Sequence, residues 1–111
     1  ATYFDLPELN HHLMEGLLYP ESLKNQSTFI LLNSDNYPKL VSKRLKLTKE
    51  VIDRQKYPTT VIKTDATDPF AEVFESITFF YFFSYYLGLV NGVDPGQIPW
   101  VDYFKKRLKD I

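Results

Sequence analysis

The sequence predicts an α/β domain built around a small parallel sheet. Short apolar or β-branched segments alternate along the chain with longer segments of helical periodicity, and this alternation is typical of parallel strands joined by helical crossovers. Prolines and small polar residues stand at the junctions, where helix starts and turns favour them. We therefore expect the order β-α-β-α-β-α-α, with about three strands and with helices on both faces of the sheet.

Composition limits the class of protein. A chain of 111 residues with 44% hydrophobic and 24% charged residues has the balance of one globular domain rather than of a disordered segment. Its formal net charge of −1 gives no basic surplus, so we expect no nucleic-acid partner and no membrane partner. The chain has no cysteine, which excludes disulfides and thiolate zinc sites and is compatible with the cytoplasmic location that we expect.

The first two predicted elements meet at a proline. The segment Tyr3–Leu6 is mostly apolar and predicts a strand. Pro7 fits the first turn of a helix, where its missing N–H has no intrahelical partner to lose, and Asp5 would lie near the cap. We expect this helix to run to about Leu18, because Tyr19-Pro20 disfavours helix at and before the proline.

The next strand and helix are the most clearly patterned pair. Thr28–Asn33 is a continuous apolar segment of the kind found in strands buried on both faces of a parallel sheet. The helix predicted over Pro38–Gln55 is amphipathic, with an apolar face centred on Leu40, Leu47 and Val51 and broadened by Val41, Leu45 and Ile52. Basic residues cover much of the rest. A basic stripe can bind nucleic acid, but no aromatic residues interleave with it, which favours a solvated face.

A third strand and two helices complete the prediction. Thr59–Thr64 is rich in β-branched residues and predicts a strand, which is followed by helices over Phe70–Val90 and Ile98–Lys109. The helix over Phe70–Val90 is apolar nearly all round, so it either spans a membrane or is buried. Glu72 and Glu75 lie in its first turns and favour a helix buried between the sheet and a partner subunit or domain.

Few residues suggest chemistry by themselves. Glycine-rich phosphate-binding motifs are absent. His11 and His12 are adjacent, so on a helix they point about 100° apart and would not chelate one metal ion together. At a strand-to-helix junction, His11 could face the crevice where open α/β sheets bind ligands and could transfer protons near neutral pH. A capping or core histidine is equally compatible with that position.

Four segments carry a series of motifs. They are Pro7–His11 (P-E-x-N-H), Arg44, Thr48 and Glu50 (R-x-x-x-T-x-E), Ser84–Leu87 (S-x-Y-L) with Gly92–Pro95 (G-V-D-P), and Phe104–Leu108 (F-K-x-x-L). In this order they resemble the bifunctional phosphoglucose/phosphomannose isomerases of the sugar isomerase (SIS) superfamily. The resemblance implies a partial three-layer αβα, flavodoxin-like SIS domain. Residues 1–111 would then be the C-terminal part of the second SIS domain of a longer protein.

The resemblance also implies a reaction and two catalytic residues. In the family, the P-E-x-N-H histidine acts in sugar ring opening across the dimer interface, and it matches His11; a lysine of the terminal helix contacts the sugar and matches Lys105. The implied reaction interconverts glucose 6-phosphate or mannose 6-phosphate with fructose 6-phosphate through a cis-enediol, without a metal or other cofactor. The implied partners are a phosphosugar substrate and a second subunit, in a homodimer formed through helices.

Parts of the family pattern lie outside this sequence or differ in it. The family's glutamate base and its phosphate-binding loops precede P-E-x-N-H, so we expect a fragment of a two-SIS-domain protein that is inactive alone. His12 stands where the family has asparagine, Tyr81 replaces an aspartate and Gly88 replaces an alanine. These departures leave open a non-catalytic module for sugar-phosphate binding or dimerisation, and glucose versus mannose specificity stays undecided.

Overall fold

The computed structural model describes residues 2–109, which form a mixed α/β protein with two parallel strands and five α-helices. The helices are α1 (Leu6–Glu8), α2 (Leu23–Gln26), α3 (Lys39–Arg54), α4 (Pro69–Val90) and α5 (Pro99–Lys109), and the strands are β1 (Phe29–Asn33) and β2 (Thr59–Lys63). The chain divides into two compact units, one up to Glu72 and one from Val73 onward. The predicted α/β class with a parallel sheet is confirmed, and it is consistent with a partial αβα domain.

The sheet consists of β1 and β2, which pair in parallel with Phe29 opposite Thr59 and Asn33 opposite Lys63. Helix α3 connects the two strands, as the crossover from one parallel strand to the next requires. Leu31 is buried whereas its neighbour Leu32 is 39% exposed. Because successive side chains point to opposite faces of a strand, β1 is covered mainly on one face within this chain, and the prediction of burial on both faces is wrong.

The predicted first strand at Tyr3–Leu6 is also wrong, so the described chain has two strands rather than about three. Residues 3–5 have no regular secondary structure, and Leu6 begins α1. Asp5 is the N-cap in an extended conformation, and its carbonyl accepts a 2.9 Å hydrogen bond from the N–H of Leu9. Pro7 lies in the first helical positions, as predicted from its missing N–H. The helix start thus has more influence on the local backbone than the strand preference of the short apolar segment.

The helical backbone continues beyond α1 but changes its hydrogen-bond spacing. Leu9–Leu13 forms a π-helical turn, which we name the His11 turn, and Gly16–Leu18 forms a 3₁₀ turn. The predicted end before Pro20 is confirmed, and the Tyr19–Pro20 peptide bond is cis. Helix α2, four residues long, was not predicted, because so short a segment has no measurable periodicity.

The core of the first unit lies between α3, the strands and the N-terminal turns. Its buried apolar side chains are Leu9, Leu17, Leu31, Leu45, Ile52 and Tyr57. Helix α3 directs Leu45, Thr48 and Ile52 inward, whereas Leu40 is 66% and Leu47 is 52% exposed. The predicted face is therefore confirmed at Leu45 and Ile52, whereas its predicted centre at Leu40 and Leu47 is wrong. The buried face includes a threonine instead, because the hydroxyl of Thr48 has hydrogen-bond partners inside the protein.

A tight reversal at the end of α3 returns the chain to the core. Lys56 has a φ of 65°, and its N–H donates to the carbonyl of Asp53 at 2.9 Å. The N–H of Tyr57 then donates to the carbonyl of Ile52 at 3.3 Å, a pattern that satisfies free carbonyls at a helix end. As a result Tyr57 is 3% exposed and meets Phe29 edge to face, with ring centroids 5.3 Å apart.

The second unit contains most of α4 and all of α5. The predicted helix end at Val90 is confirmed. Gly92 follows with a φ of 71°, and the N–H of Val93 donates to the carbonyl of Gly88 at 2.9 Å. No residue of α4 or α5 is buried. The apolar helix predicted to be buried thus has no cover within the described chain, and its burial against a partner stays a prediction.

Helix α4 also has the length and composition of a membrane span. It is 22 residues long, and its most apolar window has a mean hydropathy of 1.4. A core helix of a soluble protein meets the same criteria, so a single helix of this kind is weak evidence for a membrane.

Candidate active site

His11 lies on the π-helical turn that follows α1. In this turn the N–H of Met14 donates to the carbonyl of Leu9 at 3.2 Å, five residues back. Leu9 is 4% exposed and anchors the turn in the core, whereas His11 and His12 are exposed. Widened turns of this kind are frequent at functional sites. The turn thus has an apolar residue fixed inside and two imidazoles outside.

Three long-range hydrogen bonds hold the segment around His11 against α3 and the residues that follow it. The side-chain amide of Asn10 donates to the hydroxyl of Thr48 at 2.8 Å. The amide of Gln55 donates to the carbonyl of Met14 at 3.1 Å, and the hydroxyl of Tyr57 donates to the carbonyl of Leu17 at 2.7 Å in a buried bond. These bonds span about forty positions, so α3 and the residues just after it fix where His11 lies on the surface.

His11 lines an open depression together with Pro7, Asn10 and Arg44. Arg44 is exposed on α3, one turn before Thr48. Its guanidinium has no hydrogen bond or ion pair within residues 2–109. The depression thus brings together the imidazole of His11, the guanidinium of Arg44 and the side-chain amide of Asn10. This set suits an anionic ligand with several hydroxyl groups, because a guanidinium binds oxyanions and an amide binds hydroxyls.

The two histidines differ in their surroundings. The Nε2 atom of His12 lies 3.8 Å from Oε1 of Glu8, one helical turn earlier, and both side chains are about two-thirds exposed. The two imidazole rings meet edge to face, with centroids 4.3 Å apart. His11, and not His12, lines the depression with Arg44. His11 is therefore the histidine beside the depression, and His12 is the histidine beside a carboxylate.

The motif segments that resemble an isomerase family are joined in space. Asn10 and His11 come from the P-E-x-N-H segment, and Thr48 and Arg44 come from the R-x-x-x-T-x-E segment. In a comparison with protein families, residues 1–108 match the C-terminal SIS domain of bacterial phosphoglucose isomerase. The chain belongs to this family. The comparisons with curated proteins and with solved structures gave no match.

Membership of this family indicates a soluble protein related to the sugar-phosphate isomerases. Residues 1–108, which match this C-terminal SIS domain, include both residues predicted to be catalytic. His11 belongs to the first unit, and Lys105 is exposed on α5 in the second unit. Their catalytic roles stay predictions.

Two residues that differ from the pattern implied by the resemblance lie on α4. Tyr81, where the resemblance implies an aspartate, is 72% exposed. At Gly88, where the resemblance implies an alanine, a Cβ would meet only the carbonyl of Val93, at 3.9 Å. An alanine would therefore fit, and nothing in the structure explains the glycine.

A second polar cluster lies at the carboxyl ends of the two strands. The carboxylate of Glu72, in the first turn of α4, accepts hydrogen bonds from Ser34 at 2.6 Å, Asn36 at 3.0 Å and Thr64 at 3.1 Å. The hydroxyl of Ser34 also accepts a 2.9 Å bond from the N–H of Asn36. From the sequence, small polar residues at such junctions are predicted only to favour helix starts and turns. The relevant signal was that polar residues follow both parallel strands, at the edge where α/β sheets gather polar groups.

The hydrogen bonds in this cluster change the proton affinity of its members. Those from Asn36 and Ser34, together with that from Thr64, hold the pKa of Glu72 below its ordinary value, because they stabilise the carboxylate. Burial raises the pKa of the Tyr37 phenol, and the nearby charge of Glu72 raises it further. Glu72 is thus a stabilised carboxylate, and both of its oxygens accept hydrogen bonds from its own chain.

Metal binding finds no support in the arrangement of side chains. Within residues 2–109, no three histidine, aspartate or glutamate side chains form a group that could hold a metal ion. The candidate site is therefore described by its imidazole, its guanidinium and its amide alone.

Proposed function

We propose that this chain is the C-terminal part of the second SIS domain of a longer, two-SIS-domain aldose–ketose isomerase. The proposed reaction interconverts glucose 6-phosphate, mannose 6-phosphate or both with fructose 6-phosphate. The single observation that supports this most directly is that His11 lies beside Arg44, on a turn that the Asn10–Thr48 hydrogen bond holds to α3. The chain that carries this arrangement matches the phosphoglucose isomerase domain over residues 1–108.

The proposed chemistry assigns His11 to ring opening. As a general acid, His11 gives a proton to the ring oxygen O5 while the C1–O5 bond breaks, and the 1-hydroxyl passes its proton to water, which leaves the open-chain aldehyde. His11 is exposed, so its proton can be replenished from solvent. It can also reach a sugar bound by another subunit, as the family resemblance implies.

The following step moves a proton between two carbon atoms. A carboxylate base outside residues 1–111 removes the proton from C2, a cis-enediol forms, and the proton is returned at C1. We assign Lys105 to the negative charge that develops on the sugar oxygen in this step, because a fixed cation at a developing oxyanion stabilises the transition state. Lys105 is exposed on α5 and so is accessible to a substrate.

Paired histidine variants of the longer protein test the role of His11. With fructose 6-phosphate as substrate and glucose 6-phosphate or mannose 6-phosphate as the measured product, we expect His11→Ala to lower kcat by about 10²- to 10⁴-fold, the usual contribution of a general acid. The matched control is His12→Ala, which removes an equally exposed imidazole next to it and should leave kcat nearly unchanged. Equal losses in both variants would refute the assignment.

Two adjacent lysines test the role of Lys105 in the same way. Lys105 and Lys106 are both exposed on α5. We expect Lys105→Gln to lower kcat by about 10²- to 10³-fold, the range seen on loss of one oxyanion-stabilising group, and Lys106→Gln to have little effect. The chain of residues 1–111 alone should show no turnover, because its base is supplied from outside.

A second candidate function is a non-catalytic module for sugar-phosphate binding or dimerisation. It is favoured by the exposed aromatic side chains of α4 and α5, such as Phe74, Tyr81 and Trp100, which are typical of association surfaces. A longer protein that binds fructose 6-phosphate but shows no turnover would support this function over isomerisation. In either case we propose a cytoplasmic homodimer that associates through its helices.

A further inference from the structure

The hydroxyl of Thr48 has one proton, and the structure shows where it is used. Thr48 is 1% exposed, and its Oγ1 donates to the carbonyl of Arg44 at 2.8 Å. The same oxygen lies 2.8 Å from the side-chain nitrogen of Asn10. Since the only hydroxyl proton is used within α3, Thr48 can act only as an acceptor toward Asn10. The amide of Asn10 must therefore present its N–H group, and not its oxygen, to Thr48.

This orientation leaves the amide oxygen of Asn10 available. Asn10 lines the depression beside His11 and Arg44, and its oxygen has no hydrogen-bond partner within residues 2–109. A side-chain amide oxygen accepts up to two hydrogen bonds. The depression thus combines a hydrogen-bond acceptor, a guanidinium and an imidazole, which together match a ligand with both hydroxyl donors and an anionic group.

We infer that Thr48 is a positioning residue, which fixes the Asn10 amide so that its oxygen accepts a hydrogen bond from a sugar hydroxyl beside His11. This rests on the proposed function, because it assigns the substrate's hydroxyl groups to the same depression. Thr48 does not touch the substrate. It acts through Asn10, and because it lies on α3, it couples the position of the His11 turn to the core of the first unit.

Two substitutions at position 48 separate the hydroxyl from the shape of the side chain. In the longer protein, Thr48→Val keeps the shape and removes the hydroxyl, whereas Thr48→Ser keeps the hydroxyl. With fructose 6-phosphate, we expect Thr48→Val to lower kcat/KM by about 5- to 30-fold, the effect of one lost hydrogen bond, and to do so chiefly through KM. Thr48→Ser should keep most of the wild-type kcat/KM. Asn10→Asp, which cannot donate to Thr48 and leaves the core intact, should resemble Thr48→Val.

The orientation itself is measured by the side-chain amide resonances of Asn10 in nuclear magnetic resonance spectra. In the wild type we expect one N–H proton protected from solvent exchange and amide shifts that change on addition of fructose 6-phosphate. Both features should persist in Thr48→Ser and disappear in Thr48→Val. The shift on addition of fructose 6-phosphate does not depend on turnover, and a role of Thr48 in stability alone would leave that shift unchanged in a folded Val variant.

The outcomes distinguish failure of the inference from failure of the proposed function. A wild type that turns over fructose 6-phosphate, with Thr48→Val equal to it in KM and in the Asn10 resonances, overturns the inference alone. A wild type without turnover whose Asn10 resonances shift with fructose 6-phosphate overturns the proposed reaction and supports the inference. Absence of both turnover and shifts overturns both.

Discussion

Asn10 and Thr48, 38 residues apart in the sequence, are joined by a 2.8 Å hydrogen bond from amide to hydroxyl. The bond ties an exposed turn that presents His11 to the buried face of α3. Its two ends come from the P-E-x-N-H and R-x-x-x-T-x-E segments of the sequence. The bond gives a physical reason for both polar residues, because Asn10 is adjacent to the histidine and Thr48 holds Asn10 to the core.

The Asn10–Thr48 bond should appear as a coupling energy in the unfolding of the chain. We expect a double-mutant cycle of Asn10→Ala and Thr48→Val to give about 0.5–1.5 kcal/mol, the usual net contribution of an intramolecular hydrogen bond. Chemical denaturation of the four proteins measures it. Thr78 is a matched control, because its hydroxyl makes the same 2.8 Å bond to the carbonyl four residues back but has no other hydrogen-bond partner within residues 2–109. Coupling of Asn10→Ala with Thr78→Val as large as with Thr48→Val would contradict the assignment.

Glu72 should make the stability of the first unit sensitive to acid. Its folded-state pKa is lower than its ordinary value because of hydrogen bonds from Asn36, Ser34 and Thr64. Between the two pKa values the unfolded chain binds more protons, so the contribution is fully present above the unfolded-state pKa and is lost as the pH falls through the folded-state pKa. We expect the wild type to lose stability below about pH 5 more steeply than Glu72→Gln.

Denaturation at a series of pH values measures this dependence. Asn36→Ala provides a second variant that keeps the carboxylate and removes its foremost donor, so its slope should lie between those of the wild type and Glu72→Gln. Glu21→Gln is the control, because Glu21 is exposed and has no hydrogen bond to its carboxylate among residues 2–109. Parallel curves for the wild type and Glu72→Gln would show that the cluster does not stabilise the charged form.

Much of the secondary structure could be predicted, because its signals are local. The starts of α3 and α4 follow from Pro38 and Pro69, and the end of α4 follows from Gly92. The first strand could not be predicted correctly, because the apolar pair Tyr3-Phe4 resembles a strand while the helix start at Asp5 determines the local backbone. Local propensity was overridden here by a capping signal a few residues further on.

The candidate site was only partly predictable, because its geometry depends on distant residues. His11 was singled out from its position and its motif, and the structure places it beside a depression. The burial of Thr48 was missed, since hydrophobic periodicity treats threonine as polar and cannot anticipate a partner 38 residues away. The cluster around Glu72 was missed for the same reason: its donors lie after β1 and β2, and only the pairing of the strands brings them together.

The two glycines at the end of α4 should respond to substitution in opposite directions. Gly88 lies inside the helix with space for a Cβ, so Gly88→Ala should stabilise the chain by about 0.5–1 kcal/mol through helix propensity. Gly92 has a φ of 71°, which an alanine adopts only with strain, so Gly92→Ala should destabilise it by about 1–2 kcal/mol. Thermal unfolding of both variants measures the pair, and a shift of the same sign in both would contradict this account.

The exposed aromatic face of α4 should mediate association of two chains. Phe74 is 68% and Tyr81 is 72% exposed, and residues seven positions apart lie on the same face of a helix. If a second copy covers this face, a charge placed on it must be buried without a partner, which costs several kcal/mol. Phe74→Asp should therefore shift the chain from dimer to monomer in sedimentation equilibrium. Leu47→Asp is the control, because Leu47 is 52% exposed on α3 in the first unit and should leave the dimer intact. A wild type that is monomeric at micromolar concentration, or equal dissociation by both variants, would exclude α4 as the dimer contact.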